Sequence, residues 1–76
     1  MTTHFDPAAF RSVRDERGLS RMKLAVQIDV HADTIVRYER GIAVPSVAAL
    51  CRAADALGCP VGEFFTTDDV DVRAAA

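Results

Sequence analysis

The chain has 76 residues, 50% apolar and 26% charged, and one this short buries only roughly 60% of its unfolded surface, enough for one core and not for two domains. With four Phe, one Tyr and no Trp, that core is built from Ala, Val, Leu and Ile, which predicts a small helical bundle. A formal net charge of -2 gives no overall attraction to nucleic acid, and the uncharged run 41–51 falls short of the roughly 20 apolar residues of a membrane span.

Asp6 followed by Pro7 is a cap with a first-turn proline, and Phe5 and Phe10 have the spacing of a hydrophobic staple. A first helix is predicted from there, with Phe10, Val13 and Arg17 recurring on one face until Gly18 stops it. Ser20 caps a second helix with Leu24, Ala25 and Ile28 as its buried stripe, ending near Gln27. Asp29 then takes the left-handed conformation of a sharp turn and frees Val30 to enter the core. A third helix runs over 32–40, Ile35 and Tyr38 facing inward, and ends at Gly41. Pro45 and Ser46 open a fourth, in which Val47, Leu50, Cys51, Ala54 and Leu57 follow helical periodicity up to Gly58. Residues 60–65 form one short final turn or helix that returns Val61 and Phe64 to the core. From Thr66 the pattern is lost, so 1–65 is expected to be the domain and 66–76 an acidic, mobile tail, with Val70–Asp71–Val72 able to form a strand beside a partner.

Charge is unevenly distributed. Between Phe10 and Ala53 eight basic residues stand against five acidic ones, and the other six acids collect towards the ends, leaving a weakly basic middle. Cys51 and Cys59 are eight apart, with no second pair and no His at zinc spacing, so no metal and no cofactor is expected. Both cysteines read as small buried hydrophobes in a reducing compartment. No nucleophile, base and acid arrangement or phosphate loop occurs, so the chain is not expected to be an enzyme. The first five residues carry no Lys or Arg and no apolar run follows, so no secretory signal is expected and the cytoplasm is the expected location.

Helix two, a short turn and helix three, with Ala25, Asp29, Val30, Ile35 and Tyr38 at these offsets, is the arrangement of a helix-turn-helix. Together with SRMKLA, TIVRYERG, VPS and LCRAADALG, the chain resembles the Cro and phage-repressor (Xre-like) helix-turn-helix family over 10–65. The resemblance implies an all-α, compact five-helix, lambda-repressor-like domain that binds double-stranded operator DNA as a homodimer, helix three lying in the major groove. Arg14 and Glu39 match positions that pair as ions in that family. The chain departs from the family pattern at Arg21, Lys23, Asp29 and His31.

If helix three enters by its N-terminal end, Ala32, Asp33, Val36 and Arg37 face the bases, opposite Ile35 and Tyr38. Arg37 suits the O6 and N7 of guanine, and Asp33 suits either the N4 amine of cytosine or the helix dipole. Arg21, Lys23, His31, Thr34 and Arg40 then flank the groove as phosphate contacts. A freestanding domain of this kind suits a repressor or controller protein of bacterial or phage type. Two other classes remain: an antitoxin whose tail holds a toxin, and an interaction module without DNA binding.

Overall fold

A computed structural model describes residues 2–68. Strand β1 (Thr2–Phe5) leads into helices α1 (Pro7–Glu16), α2 (Arg21–Ile28), α3 (Ala32–Glu39) and α4 (Val47–Leu57), then a 3-10 turn (Val61–Phe64) and strand β2 (Phe65–Asp68). The domain thus has four α-helices rather than five. Four residues ending beside Phe65 make a single tight turn, and the chain leaves it in extended conformation to pair with its own beginning.

That pairing is antiparallel, with Thr2 opposite Asp68, Thr3 opposite Thr67, His4 opposite Thr66 and Phe5 opposite Phe65. The Asp6 amide donates to the Phe64 carbonyl at 2.8 Å, the hydroxyls of Thr3 and Thr67 lie 3.0 Å apart, and the Phe5 and Phe65 rings meet edge-on. Thr66 and Thr67, expected in the tail, are therefore strand residues. Asp69, Asp71 and the Val70–Val72 segment lie outside the described residues.

Local signals account for the helix boundaries. Asp6 accepts the amides of Ala8 and Ala9, Ser20 that of Lys23 and Ser46 that of Ala49, each quieting a donor left free at a helix start. The Phe5 and Phe10 rings stand 5.7 Å apart, edge to face, as the expected staple. At the end of α2, Asp29 adopts φ 60, ψ 49. Its short polar side chain tolerates that left-handed conformation better than most residues do.

Phe10, Leu24, Ile28, Ile35 and Phe64 are fully buried, with Ala25, Tyr38, Ala53, Ala54 and Leu57 around them. Each large side chain removed from water contributes roughly 1.5–3 kcal/mol. Val30 packs against this core from the turn. Three sequence expectations are corrected. On α1 the stripe continues through Arg14 rather than Arg17, which is exposed. On α4 the buried positions are Ala49, Leu50, Ala53, Ala54 and Leu57, while Val47 is 77% exposed and Cys51 is exposed. Cys59 is half-buried and Val61 is 40% exposed. The α4 core is thus narrower in residue size than expected, with alanines where the helices approach.

Candidate nucleic-acid interface

Residues that end α2 and start α3 fix the angle between the two helices. The amides of Asp29 and Val30 donate back to carbonyls in the last turn of α2, Val30 to Ala25 at 2.9 Å. His31 is extended, and its carbonyl accepts the Thr34 amide at 2.9 Å. The His31 side chain makes no capping bond, so its imidazole is left facing solvent.

A buried cluster ties the far end of α3 to α1 and α2. The Arg14 side chain is 7% exposed and the Glu39 side chain 2%. Arg14 Nε donates to Glu39 Oε2 at 2.5 Å and Nη2 to Oε1 at 3.3 Å, while Nη1 donates to the Leu19 carbonyl between α1 and α2 at 2.8 Å. This is the ion pair that the family resemblance implied. The Glu39 hydrogen bonds raise the Arg14 pKa above its already high ordinary value, outweighing burial, so the guanidinium stays cationic.

Arg21, expected at a phosphate, also reaches this cluster, its Nε donating to Glu39 Oε1 at 2.9 Å. Its side chain nevertheless remains 41% exposed. Arg21 thus joins the first turn of α2 to the last turn of α3, a link that sequence separation hides. Lys23 is exposed one residue beyond Met22 on the same turn, Thr34 is half-buried, and Arg40 is exposed as the C-cap of α3.

Of the four residues expected to face the bases, Asp33 and Arg37 are exposed, whereas Ala32 and Val36 are half-buried, Ala32 packing against the core. Asp33 and Arg37 lie one helical turn apart and form an ion pair, Oδ2 to Nε at 3.2 Å. The i, i+4 spacing of acid before arginine is the sequence signal for that pair, which separate base contacts for the two residues leave out of account. Beyond α3 the Arg37 carbonyl accepts amides of Ile42 and Ala43, and the loop exposes Ile42 and Val44.

Among the described residues no group of three His, Cys, Asp or Glu is placed to hold a metal ion, and no helix is long and apolar enough to cross a membrane. The chemistry on offer is recognition: α3 carries an open charged face, and its base is locked to two other helices.

Comparison with known proteins finds a family model described as helix-turn-helix domain matching residues 8–64. No curated protein matches the chain significantly. Among solved structures, it is similar to the restriction-modification controller protein C.AhdI from Aeromonas hydrophila, at 26% identity over 76% of this chain and 88% of that one, with a TM-score of 0.72. It is also similar to the clp gene regulator ClgR from Corynebacterium glutamicum, at 32% identity over 91% of this chain and 67% of that one, with a TM-score of 0.71. A transcriptional regulator from Listeria innocua, 19% identical over 99% of this chain and 74% of that one, shares the fold at a TM-score of 0.72.

Proposed function

Since this chain belongs to the helix-turn-helix domain family, we propose that it is a transcriptional regulator, a binding protein rather than an enzyme, which represses from double-stranded operator DNA in the cytoplasm of a bacterial cell. It acts as a homodimer on an inverted repeat. The observation that carries this function is the open, charged face of α3 held rigidly by the Arg14–Glu39–Arg21 cluster. Preorganised side chains lose less freedom on binding. The similarity to a controller protein and to a gene regulator, each over two thirds or more of its own length, supports it.

In this function α3 enters the major groove by its N-terminal end, with Arg37 donating to the O6 and N7 of guanine and Val36 and Ala32 offering apolar contact beside it. Arg21, Lys23, His31, Thr34 and Arg40 line the flanking phosphates. The Nη groups of Arg21 do so while its Nε stays on Glu39, and a phosphate at the start of α2 meets the helix dipole as well.

Gel shift across a salt series tests this. Binding should fall steeply with salt, and Arg21→Ala should weaken binding to all sequences alike and flatten the logarithmic salt slope by about one unit. Arg37→Ala should relax preference at one base pair with little change in non-specific affinity. A wild-type protein that shifts no duplex at low salt refutes DNA binding.

A further inference from the structure

The pair on the outer face of α3 gives Asp33 a role that no residue-by-residue contact scheme assigns. Resting on the placement of α3 in the major groove, we propose that Asp33 is a positioning residue for Arg37, and that the two read a single guanine as one unit.

Arg37 meets Asp33 through Nε, at 3.2 Å from Oδ2. A guanidinium has five N–H donors, one on Nε and four on the two Nη atoms. With the carboxylate beside Nε, the two Nη atoms remain as an end-on fork, the geometry that matches the O6 and N7 acceptors of guanine. Among the described residues the Arg37 side chain has no other ionic partner.

Two further observations and the electrostatics of the groove support a unit. The Arg37 backbone is itself fixed, since its carbonyl accepts the Ile42 amide at 2.9 Å and the Ala43 amide at 3.3 Å, so the side chain springs from a rigid base. Asp33 and Arg37 are 73% and 60% exposed while Ala32 and Val36 are half-buried, so this pair dominates what the helix offers to a groove. An isolated carboxylate facing DNA would also be repelled by phosphates, and Arg37 neutralises it locally. The helix dipole favours an acid in the first turn and a base in the last turn of α3, but it does not by itself bring Arg37 Nε to Asp33 Oδ2.

Selection from a random duplex pool, run in parallel on wild type, Asp33→Ala, Asp33→Glu, Arg37→Ala and the double variant Asp33→Ala/Arg37→Ala, tests the unit. Circular dichroism first verifies that each exposed variant is folded. Arg37→Ala should lose preference at one base pair by roughly 5- to 150-fold, the discrimination expected of a bidentate guanine contact. Asp33→Ala should lose part of the preference at that same base pair, the double variant should match Arg37→Ala, and Asp33→Glu should restore most of it. If Asp33→Ala relaxes a different base pair, the carboxylate reads a base itself and the unit is overturned. An unchanged profile overturns it equally, leaving only the helix dipole. If Arg37→Ala keeps the wild-type preference, the groove placement of α3 fails together with the unit, and that arm alone tells the two failures apart.

Discussion

Helix α3 carries acid–arginine pairing in two opposite environments. At its C-terminal end Glu39 is enclosed, accepting from a buried Arg14 and a half-exposed Arg21; on its outer face Asp33 and Arg37 stand in solvent. The chemistry is shared and the consequences diverge. A buried charge is tolerable only while its partner is present, because water no longer solvates it. An exposed pair sits in high dielectric and contributes little to stability, and the Nη atoms of Arg37 stay open to a further partner. One helix thus carries a pair enclosed in the fold and a pair open to solvent, separated by burial alone.

The largest test of that contrast is Glu39→Ala. It removes the buried partner of the Arg14 guanidinium, leaving it only the exposed Asp15 carboxylate and the Leu19 carbonyl, and should cost about 3–5 kcal/mol, seen in urea denaturation and as a fall in Tm of more than about 12 °C for a domain of this size. A loss under about 1 kcal/mol would put the buried cluster on the same footing as the exposed pair, and the contrast would collapse.

Asp6 lies between the extremes. Its carboxylate accepts the Thr66 hydroxyl and the Ala8 and Ala9 amides. Its pKa is lowered from the ordinary 3.8 chiefly by the Thr66 bond, with partial burial opposing and the amides of Ala9 and Ala8 and the nearby His4 assisting. Folding therefore favours the ionised form. The contribution is complete above the unfolded value and is lost as pH falls through the lower folded value. Asp6→Ala should cost about 1 kcal/mol at neutral pH, and the gap between wild type and variant in denaturation midpoint should close as the pH drops below 3.8. A gap that persists undiminished at low pH would mean that the hairpin and α1 do not depend on the carboxylate.

Asp33→Ala should move stability least, by no more than about 0.5 kcal/mol, while altering which duplex is preferred. A stability loss approaching that of Glu39→Ala would show the outer pair to be part of the fold instead.

Signals that act within one turn were legible in the sequence. Asp6, Ser20 and Ser46 cap because a short oxygen-bearing side chain satisfies amides two or three residues on. Asp29 turns because few residues bear a left-handed backbone, and Ile35 and Tyr38 are buried because they share one face. These sufficed for α1 to α4, the turn between α2 and α3, and the outward residues Asp33 and Arg37. Tertiary structure decided what depends on distant partners. Four-residue strands rich in Thr carry no apolar alternation, so the joining of 2–5 to 65–68 is invisible until the helices bring the ends together. Whether α4 buries Cys51 or Ala53 turns on a rotation of its stripe, which periodicity leaves loose and the packing of neighbouring helices fixes. Arg21 was chemically ready for a phosphate or for a carboxylate, and only the folding of α3 across the start of α2 set Glu39 2.9 Å from its Nε.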